Sequence, residues 1–291
     1  METIRKVKKI TKGVAAVDGA GVKLVRVIGY RDTKDYDPFL MLDAFDSVNS
    51  DDYIKGFPWH PHRGIETITY LIEGDIEHGD SLGNKGSILD GDCQWMTAGS
   101  GIIHQEMPQP ADRMLGAQLW LNLSAKDKMT DPSYGDIKAE DIPVIDENGV
   151  TIHVLSGDYQ GQKGAFQGKY INATYLDVEL SEGEQWQFVN EPDHTLFIYM
   201  FFGKAIFDPD KSIENKVDLI DAKQAVLFGE GDKFWIKAAA DTRFILLSAK
   251  PLKEPIAWGG PIVMNTNKEL DLAFKELNNK TFIKTHDAGD L

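Results

Sequence analysis

Two histidines separated by one proline stand out in the segment GFPWHPHRGIET, which covers residues 56–67. They are His60 and His62, and the whole chain of 291 residues contains only seven histidines. Side chains alternate between the two faces of a β-strand, so residues two positions apart point the same way. The two imidazoles are therefore expected on one face, and the same alternation carries Glu66 to that face if no bulge intervenes.

A second polar pair follows in the segment WMTAGSGIIHQEMP, residues 95–108. His104 and Glu106 are again two positions apart, and His104 comes 42 positions after His62. Glycines at 99 and 101 form a tight turn that could lead into a short strand. If the two pairs lie on facing strands, three imidazoles and one carboxylate converge inside a β-barrel.

Three imidazoles and one carboxylate form a ligand set for a transition metal. Such ligands suit Fe, Mn, Co, Ni, Cu or Zn, and the lack of thiolate ligands argues against a structural zinc site. Four protein ligands leave two positions open on an octahedral ion for a small molecule, dioxygen or both. Glu66 could be a fifth ligand, a group that orients a ligand histidine, an acid or base, or a structural partner of Arg63. The remaining histidines lack a paired neighbour and are expected to be structural or exposed: His78, His153, His194 and His286.

The elements that must position these residues are short. Apolar stretches of about four to eight residues, rich in β-branched and aromatic side chains, are separated by glycine and Asp/Asn turns. This pattern predicts an all-β chain of sandwiches or barrels with few short helices. One helix is predicted at residues 267–277, where apolar residues recur at helical spacing.

The length predicts two domains, and a polar, acidic segment marks the boundary between them. We expect a metal-binding domain at residues 1–125, a linker at 126–150, and a second domain without the metal site at 151–291. A weak internal repeat supports two copies of one module. It aligns Gly91-Asp92, Trp95-Met96, His104 and Glu106 with Gly231-Asp232, Trp235-Ile236, Phe244 and Leu246. Because apolar residues replace the polar ones in the second copy, only the first is expected to bind a metal.

Charge and composition exclude several classes of function. The formal net charge is −15, and a field of that sign repels nucleic acid and anionic membranes. The longest apolar runs, such as residues 196–202, are too short to span a bilayer. The basic N-terminus is not followed by an apolar stretch, so we expect no secretory signal. Cys93 is the only cysteine, which fits a reducing compartment, and we expect a cytoplasmic protein, or a nuclear one in a eukaryote.

Four long stretches resemble the pirins, which are two-domain members of the cupin superfamily. They are DPFLMLDAF (37–45), FPWHPHRGIETITYLIEG (57–74), GDCQWMTAGSGIIHQEM (91–107) and GGPIVMNT (259–266). The resemblance implies two cupin barrels of the double-stranded β-helix (jelly-roll) type, with one divalent metal ion, usually Fe(II), in the first barrel only. It also implies which residues are the metal ligands: His60, His62, His104 and Glu106. Glu66 is then expected behind the ligands, and Trp59, a departure from the family pattern, is expected to narrow the mouth of the pocket.

The resemblance implies two functions from different classes. The first is a metal-dependent dioxygenase that opens the central ring of a flavonol such as quercetin with O2 and releases CO. Its catalytic base would be Glu106 or Glu66, and its partners would be a flavonol-like aromatic substrate and O2. The second is an iron-dependent regulatory protein that binds a protein partner, either as a transcription co-regulator or as a modulator of a partner enzyme. Neither function requires direct binding to nucleic acid or to a membrane.

Overall fold

The computed structural model describes residues 3–284, which contain 26 strands and two α-helices. The strands of the first half are β1 (Val7–Lys12), β2 (Val14–Asp18), β3 (Val22–Ile28), β4 (Phe39–Ser47), β5 (Phe57–His62), β6 (Ile65–Glu73), β7 (Ile76–Asp80), β8 (Lys85–Ile88), β9 (Cys93–Thr97), β10 (Ile102–Pro108), β11 (Met114–Asn122) and β12 (Ser133–Ile137). Those of the second half are β13 (Val144–Glu147), β14 (Val150–Ser156), β15 (Asp158–Tyr159), β16 (Gln162–Lys163), β17 (Thr174–Leu180), β18 (Gln185–Val189), β19 (Thr195–Phe202), β20 (Lys204–Ile206), β21 (Ile220–Asp221), β22 (Gln224–Phe228), β23 (Lys233–Ala238), β24 (Thr242–Ala249), β25 (Ala257–Gly259) and β26 (Ile262–Met264). The helices are α1 (Thr33–Tyr36) and α2 (Asn267–Asn278).

The prevalence of strands confirms the expected all-β fold, and α2 confirms the helix predicted at residues 267–277. Its first turn is capped in both directions. The Glu269 N–H donates to the Thr266 hydroxyl, and the Thr266 N–H donates to the Glu269 carboxylate. None of the helices within residues 3–284 has the length and apolar character that crossing a membrane requires.

The chain divides into two compact units, each assembled from separate segments. The N-terminal unit consists of Val14–Lys34, Pro38–Ala139 and the described residues from Leu252 onward. The C-terminal unit consists of the described residues up to Gly13, together with Asp35–Asp37 and Glu140–Pro251. Each unit is therefore completed by residues from a distant part of the chain.

These units differ from the expected division into residues 1–125, 126–150 and 151–291. At the start of the chain, β1 pairs with β22 and so belongs to the C-terminal unit. Part of the expected linker forms β12, which pairs with β9 in the N-terminal unit. Pairing between strands that are far apart in sequence therefore determines which unit each of these segments joins. His286 and the rest of residues 285–291 lie outside the described part of the chain.

The N-terminal unit contains a seven-stranded sheet in the order β12-β9-β6-β11-β4-β3-β2 and a four-stranded sheet in the order β5-β10-β7-β8. All the pairs are antiparallel, and every residue of the central strand β11 is buried. The register of the larger sheet aligns five polar side chains across five neighbouring strands, which we call the polar row. It consists of Arg26, Asp43, Gln118, Thr69 and Gln94.

The C-terminal unit repeats this arrangement. Its sheets have the orders β1-β22-β19-β24-β17-β14-β13 and β18-β23-β20-β21, so β17 to β24 correspond one by one to β4 to β11. The internal repeat is therefore present, but the expected match of His104 with Phe244, and of Glu106 with Leu246, is wrong. Those two apolar residues lie on β24, the counterpart of β11, whereas His104 and Glu106 lie on β10, the counterpart of β23.

The counterpart of the histidine cluster is an apolar core. His104 on β10 pairs with His60 on β5 in the first unit, and on the counterpart strands β23 and β18 Ile236 pairs with Trp186. Both residues are buried in a large cluster of aromatic and aliphatic side chains. The apolar replacement inferred from sequence is therefore present, although in different residues.

Candidate metal centre

Three imidazoles converge in the N-terminal unit. His60 and His62 lie on β5, His104 lies on the adjacent strand β10, and His104 is the cross-strand partner of His60. One nitrogen from each ring can be chosen so that the three atoms all lie within 4.8 Å of one another. The expectation that the polar pairs share one site is met for these three residues, but through neighbouring strands of one sheet and not through facing strands.

Two backbone carbonyls fix the tautomers of the first two histidines. The Nδ1 atom of His60 lies 2.9 Å from the oxygen of Pro58, and that of His62 lies 3.1 Å from the oxygen of Pro261. A carbonyl oxygen only accepts hydrogen bonds, so Nδ1 carries the proton in both rings. Each neutral ring then has its lone pair on Nε2, and the two Nε2 atoms are only 3.1 Å apart.

This short distance between two lone pairs calls for a positive ion that both rings can share. Burial, with a further contribution from the adjacent His60, lowers the pKa of His62 to about 3, so a proton on His62 is disfavoured. A divalent metal would satisfy both nitrogens, since neutral imidazole is a common metal ligand. The pair of rings therefore fits a metal ion.

His104 supports the same conclusion independently. Its side chain is fully buried, and within residues 3–284 neither of its ring nitrogens has a hydrogen-bond partner. Burial, followed by the charges of the neighbouring histidines, lowers its pKa well below the usual value. Buried polar atoms without a partner are costly, and a metal ion bound to one nitrogen would remove much of that cost.

Glu106 lies two residues beyond His104 and is also buried. Its Oε1 atom accepts hydrogen bonds from the Thr69 hydroxyl at 3.0 Å and from Nε2 of Gln118 at 2.9 Å. The same Gln118 nitrogen lies 2.8 Å from Oε2. Among the described residues, the cluster within 4.8 Å contains the three histidines and not this carboxylate. Two members of the polar row thus hold Glu106 beside the cluster.

Glu66 lies elsewhere. It has the opposite strand parity from Thr69, which reaches Glu106, and its carboxylate accepts a hydrogen bond from the Thr97 hydroxyl at 2.7 Å. The expected alternation fails because β5 ends at His62 and a turn at Gly64, with φ of +78°, separates it from β6. Burial raises the pKa of Glu66 to about 7.

Arg63 is not the partner of Glu66 either. Its guanidinium donates to Glu276 Oε2 at 2.7 Å, to the Phe282 oxygen at 2.8 Å and to the Ser100 oxygen at 2.6 Å. These contacts fix the turn that follows the His60–His62 pair.

A fourth histidine, His78, lies beside the cluster, where sequence reasoning expected only a structural or exposed residue. Its ring centroid is 5.6 Å from that of His104, and its Nε2 atom is 3.3 Å from Asp80 Oδ2. The ring of Tyr134 stacks on it at 4.7 Å. The signal in the sequence was the spacing of His78 and Asp80, which are two positions apart in the same way as the other pairs.

A cavity of about 810 Å³ opens beside His60 and His62. Its aromatic side includes Tyr30, Phe57, Trp120 and Trp258, and its polar side includes Asp18, Arg26, Asp43 and Gln118. Trp258 and Pro261 come from the C-terminal part of the chain, and sequence reasoning assigned neither of them to the site.

Trp59 does not line this cavity, so the expectation that it narrows the pocket mouth is wrong. It follows the opposite alternation from His60 and is 45% exposed. It borders a separate, shallow depression of about 380 Å³ together with Gly79, Lys85 and Gln105.

A second group of candidate ligands lies in the C-terminal unit, where His153, Asp177 and Glu179 approach one another. Arg243 occupies this group. Its guanidinium binds both carboxylate oxygens of Asp177, at 3.1 and 2.6 Å, and lies 3.0 Å from Glu179. An arginine already provides the positive charge that a cation would bring.

Comparison with known proteins places this architecture in a family. The pirin model matches residues 21–121, and the model of the pirin C-terminal cupin domain matches residues 175–283. A pirin-like protein from Caulobacter vibrioides is 41% identical over 282 residues, which cover 96% of this chain and 99% of the relative. Human pirin is 37% identical over 278 residues, with 94% and 93% covered.

Solved structures agree with the sequence comparison. A crystal structure described as quercetin 2,3-dioxygenase from Acinetobacter baumannii matches with a TM-score of 0.85 and 32% identity, over 96% of this chain and 99% of that one. Both barrels and nearly the full length of the relatives are therefore represented, and the chain belongs to the pirin family.

Proposed function

We propose that this protein is a metal-dependent dioxygenase that opens the central ring of a flavonol and releases carbon monoxide. The observation that carries the proposal is the 3.1 Å separation of the His60 and His62 Nε2 atoms at the wall of a cavity of about 810 Å³. Such a cavity has the size and the largely apolar, partly aromatic lining of a site for a small organic ligand. The similar solved structure from Acinetobacter baumannii bears the name of this activity.

The ligands that we propose are His60, His62, His104 and Glu106, and the ion that we expect in the cell is Fe(II). Imidazole and carboxylate ligands with open positions suit such an ion. Glu106 would complete the set by turning one oxygen toward the histidines, while Gln118 continues to support the carboxylate from behind. When bound, the ion supplies Lewis-acid stabilisation of the deprotonated 3-hydroxyl group of the flavonol.

The residues of the chain have separate tasks in this proposal. The aromatic side of the cavity holds the flat rings of the substrate and excludes water. We assign Glu106 as the acceptor of the 3-hydroxyl proton, because it reaches Gln118 at the cavity wall, whereas Glu66 bonds to Thr97 on the other face of β6. In the overall reaction two ring C–C bonds break and two C–O bonds form to the atoms of one dioxygen. Ring carbon 3 leaves with its oxygen as carbon monoxide.

The test is the loss of the quercetin absorbance band in air, together with detection of carbon monoxide. Four samples are compared: Fe(II)-loaded protein, chelator-stripped protein, His60→Ala and the control His153→Ala. We expect turnover in the loaded protein and in the control, and none in the other two. Full metal occupancy without turnover contradicts the proposal and favours the alternative, an iron-dependent regulatory protein that binds a protein partner.

A further inference from the structure

The polar side of the cavity has an excess of negative charge. Arg26 donates from Nε and Nη2 to the two oxygens of Asp43, at 2.9 and 2.7 Å, and from Nη2 to Asp18 at 2.7 Å. All three residues line the cavity. One guanidinium between two carboxylates leaves this wall with a formal charge of −1.

The geometry of this wall is fixed. Asp43 and Arg26 are cross-strand partners, and the Asp43 side chain is only 4% exposed. The hydrogen bonds that Arg26 donates to Asp43 and the charge of that carboxylate raise the pKa of Arg26, so the guanidinium stays ionised. Nε and Nη2 of Arg26 are thus engaged by two carboxylates, whose combined charge of −2 outweighs the single positive charge of the guanidinium at this wall.

Another part of the cavity lining is aromatic and favours flat ligands. The ring of Trp258 lies 5.8 Å from Tyr30 and 5.8 Å from Trp120, and Trp120 in turn lies 4.9 Å from His62. A ligand that contacts the histidines can therefore lie along these aromatic rings. Its edge or far end then meets the carboxylates of Asp18 and Asp43.

We propose that the Asp18–Arg26–Asp43 wall is a specificity determinant, which selects flat aromatic ligands with an uncharged hydroxyl at the far end and rejects those that end in a carboxylate. A hydroxyl can donate to either aspartate, whereas a carboxylate has no donor and meets two like charges. Rejection of the wrong ligand by repulsion is a common source of specificity. The inference rests on the proposed function for the position of the ligand's metal-binding end at the histidines.

The test measures binding to full-length, zinc-loaded protein, in which redox-inert zinc prevents turnover. The probes are 3-hydroxyflavones that differ only in carrying a hydroxyl or a carboxylate at position 4′ or position 7. Titration is followed by isothermal calorimetry and by quenching of tryptophan fluorescence. At the ring end that reaches the wall, we expect the flavone that carries a hydroxyl to bind at least about 10-fold more tightly than the flavone that carries a carboxylate.

Variants locate the effect. Asp18→Asn, in a half-exposed side chain, and Asp43→Asn should each raise the relative affinity for the carboxylate about 10-fold. The control is Asp46→Asn on the same strand, which removes an ion pair with Arg113 outside the cavity and should leave the preference unchanged. If Asp43→Asn does not fold, the Asp18→Asn result decides.

Equal affinity of the wild-type protein for both ligands at both ring ends overturns the inference, as does an unchanged preference in Asp18→Asn. If none of these flavones binds, both the inference and the proposed function are overturned. Selective binding without turnover in the iron-loaded protein contradicts the dioxygenase proposal alone. Turnover without selectivity contradicts only the role of the wall.

Discussion

The Nδ1 atom of His62 lies 3.1 Å from the carbonyl oxygen of Pro261, 199 positions further along the chain. The next residue, Arg63, donates to Glu276 and to the backbone oxygen of Phe282. Two consecutive residues are thus held by the segment that follows residue 251. A carbonyl behind an imidazole fixes its tautomer and orientation, so this segment determines which nitrogen of His62 faces the cluster.

Gly64→Ala should weaken metal binding through this segment. A Cβ atom at Gly64 would lie 2.0 Å from the oxygen of Val263, so β26 must shift and carry Pro261 away from His62. We expect affinity for the metal to fall by about 10- to 100-fold, the usual effect of disturbing a group behind a ligand. Competition with a chromogenic chelator measures the change.

The control for this variant is Gly83→Ala. Gly83 has a similar φ, +90° against +78°, but no atom of residues 3–284 lies within 4 Å of its added Cβ. Both variants therefore share the strain of a left-handed position, roughly 1–2 kcal/mol, and only Gly64→Ala displaces the segment. Equal metal affinity in the two variants would show that Pro261 does not position His62.

His104→Ala should lower metal affinity by more than about 100-fold, because loss of a ligand costs at least as much as loss of a group behind one. His153→Ala, which alters the His153–Asp177–Glu179 group, should retain full metal content. Metal per chain after purification and dialysis, measured by inductively coupled plasma spectrometry, distinguishes the two. Wild-type metal content in His104→Ala would refute the proposed centre.

Gln118→Leu should reduce metal affinity by about 10- to 100-fold, because it removes the donor that holds Glu106 through both carboxylate oxygens. The matched control is Gln94→Leu. Gln94 is a buried glutamine of the same polar row, but its amide donates to Tyr134. Chelator competition should show a loss of metal affinity in Gln118→Leu only. Equal losses of affinity in the two variants would mean that the polar row acts as a whole and not through Glu106.

Glu66→Gln should change how stability depends on pH. The pKa of Glu66 is about 7 in the folded chain and near 4.5 when unfolded, so the folded state binds more protons between these values. The free energy of unfolding therefore falls as pH rises from 4.5 to 7, and a glutamine does not contribute to that fall. The difference in free energy of unfolding between the variant and wild type should therefore shift in favour of the variant by about 2 to 3 kcal/mol from pH 5 to pH 8.

Urea unfolding in the presence of chelator, at both pH values, checks this expectation without interference from metal binding. Turnover of metal-loaded Glu66→Gln should equal that of wild type, because the Glu66 carboxylate bonds to Thr97 on the other face of β6 from the one that reaches Glu106. A large loss of turnover would restore the catalytic role that the sequence suggested for this residue.

Alternation along a strand is a local property and was sufficient to group His60 with His62, whereas the approach of His104 depends on the pairing of β10 with β5. The sequence reasoning was less successful elsewhere. It failed for Glu66 because the turn at Gly64 restarts the alternation, and one positive φ angle leaves little trace in a sequence. Glu106 was correctly placed on the face of His104, but its hydrogen bonds to Gln118 depend on the approach of another sheet.

Other parts of the site depend on sheet register, which sequence patterns did not reveal. Arg26 and Asp43 meet only because β3 and β4 pair in one particular alignment. The repeat shows the same limit, since similar Gly-Asp turns precede β9 in one unit and β23 in the other, although these strands are not counterparts. Local resemblance between turns therefore shifted the alignment of the two halves by one strand.

The composition of the two units has a consequence for synthesis on the ribosome. β11, the central strand of the histidine-bearing unit, ends at Asn122, but the carbonyl that orients His62 belongs to Pro261. At a synthesis rate of about 5 to 20 residues per second, Pro261 is added roughly 7 to 28 s after Asn122. During that interval the nascent chain has all three imidazoles but lacks Pro261 and Trp258. We therefore expect the complete metal site to form late, close to or after release of the finished chain from the ribosome.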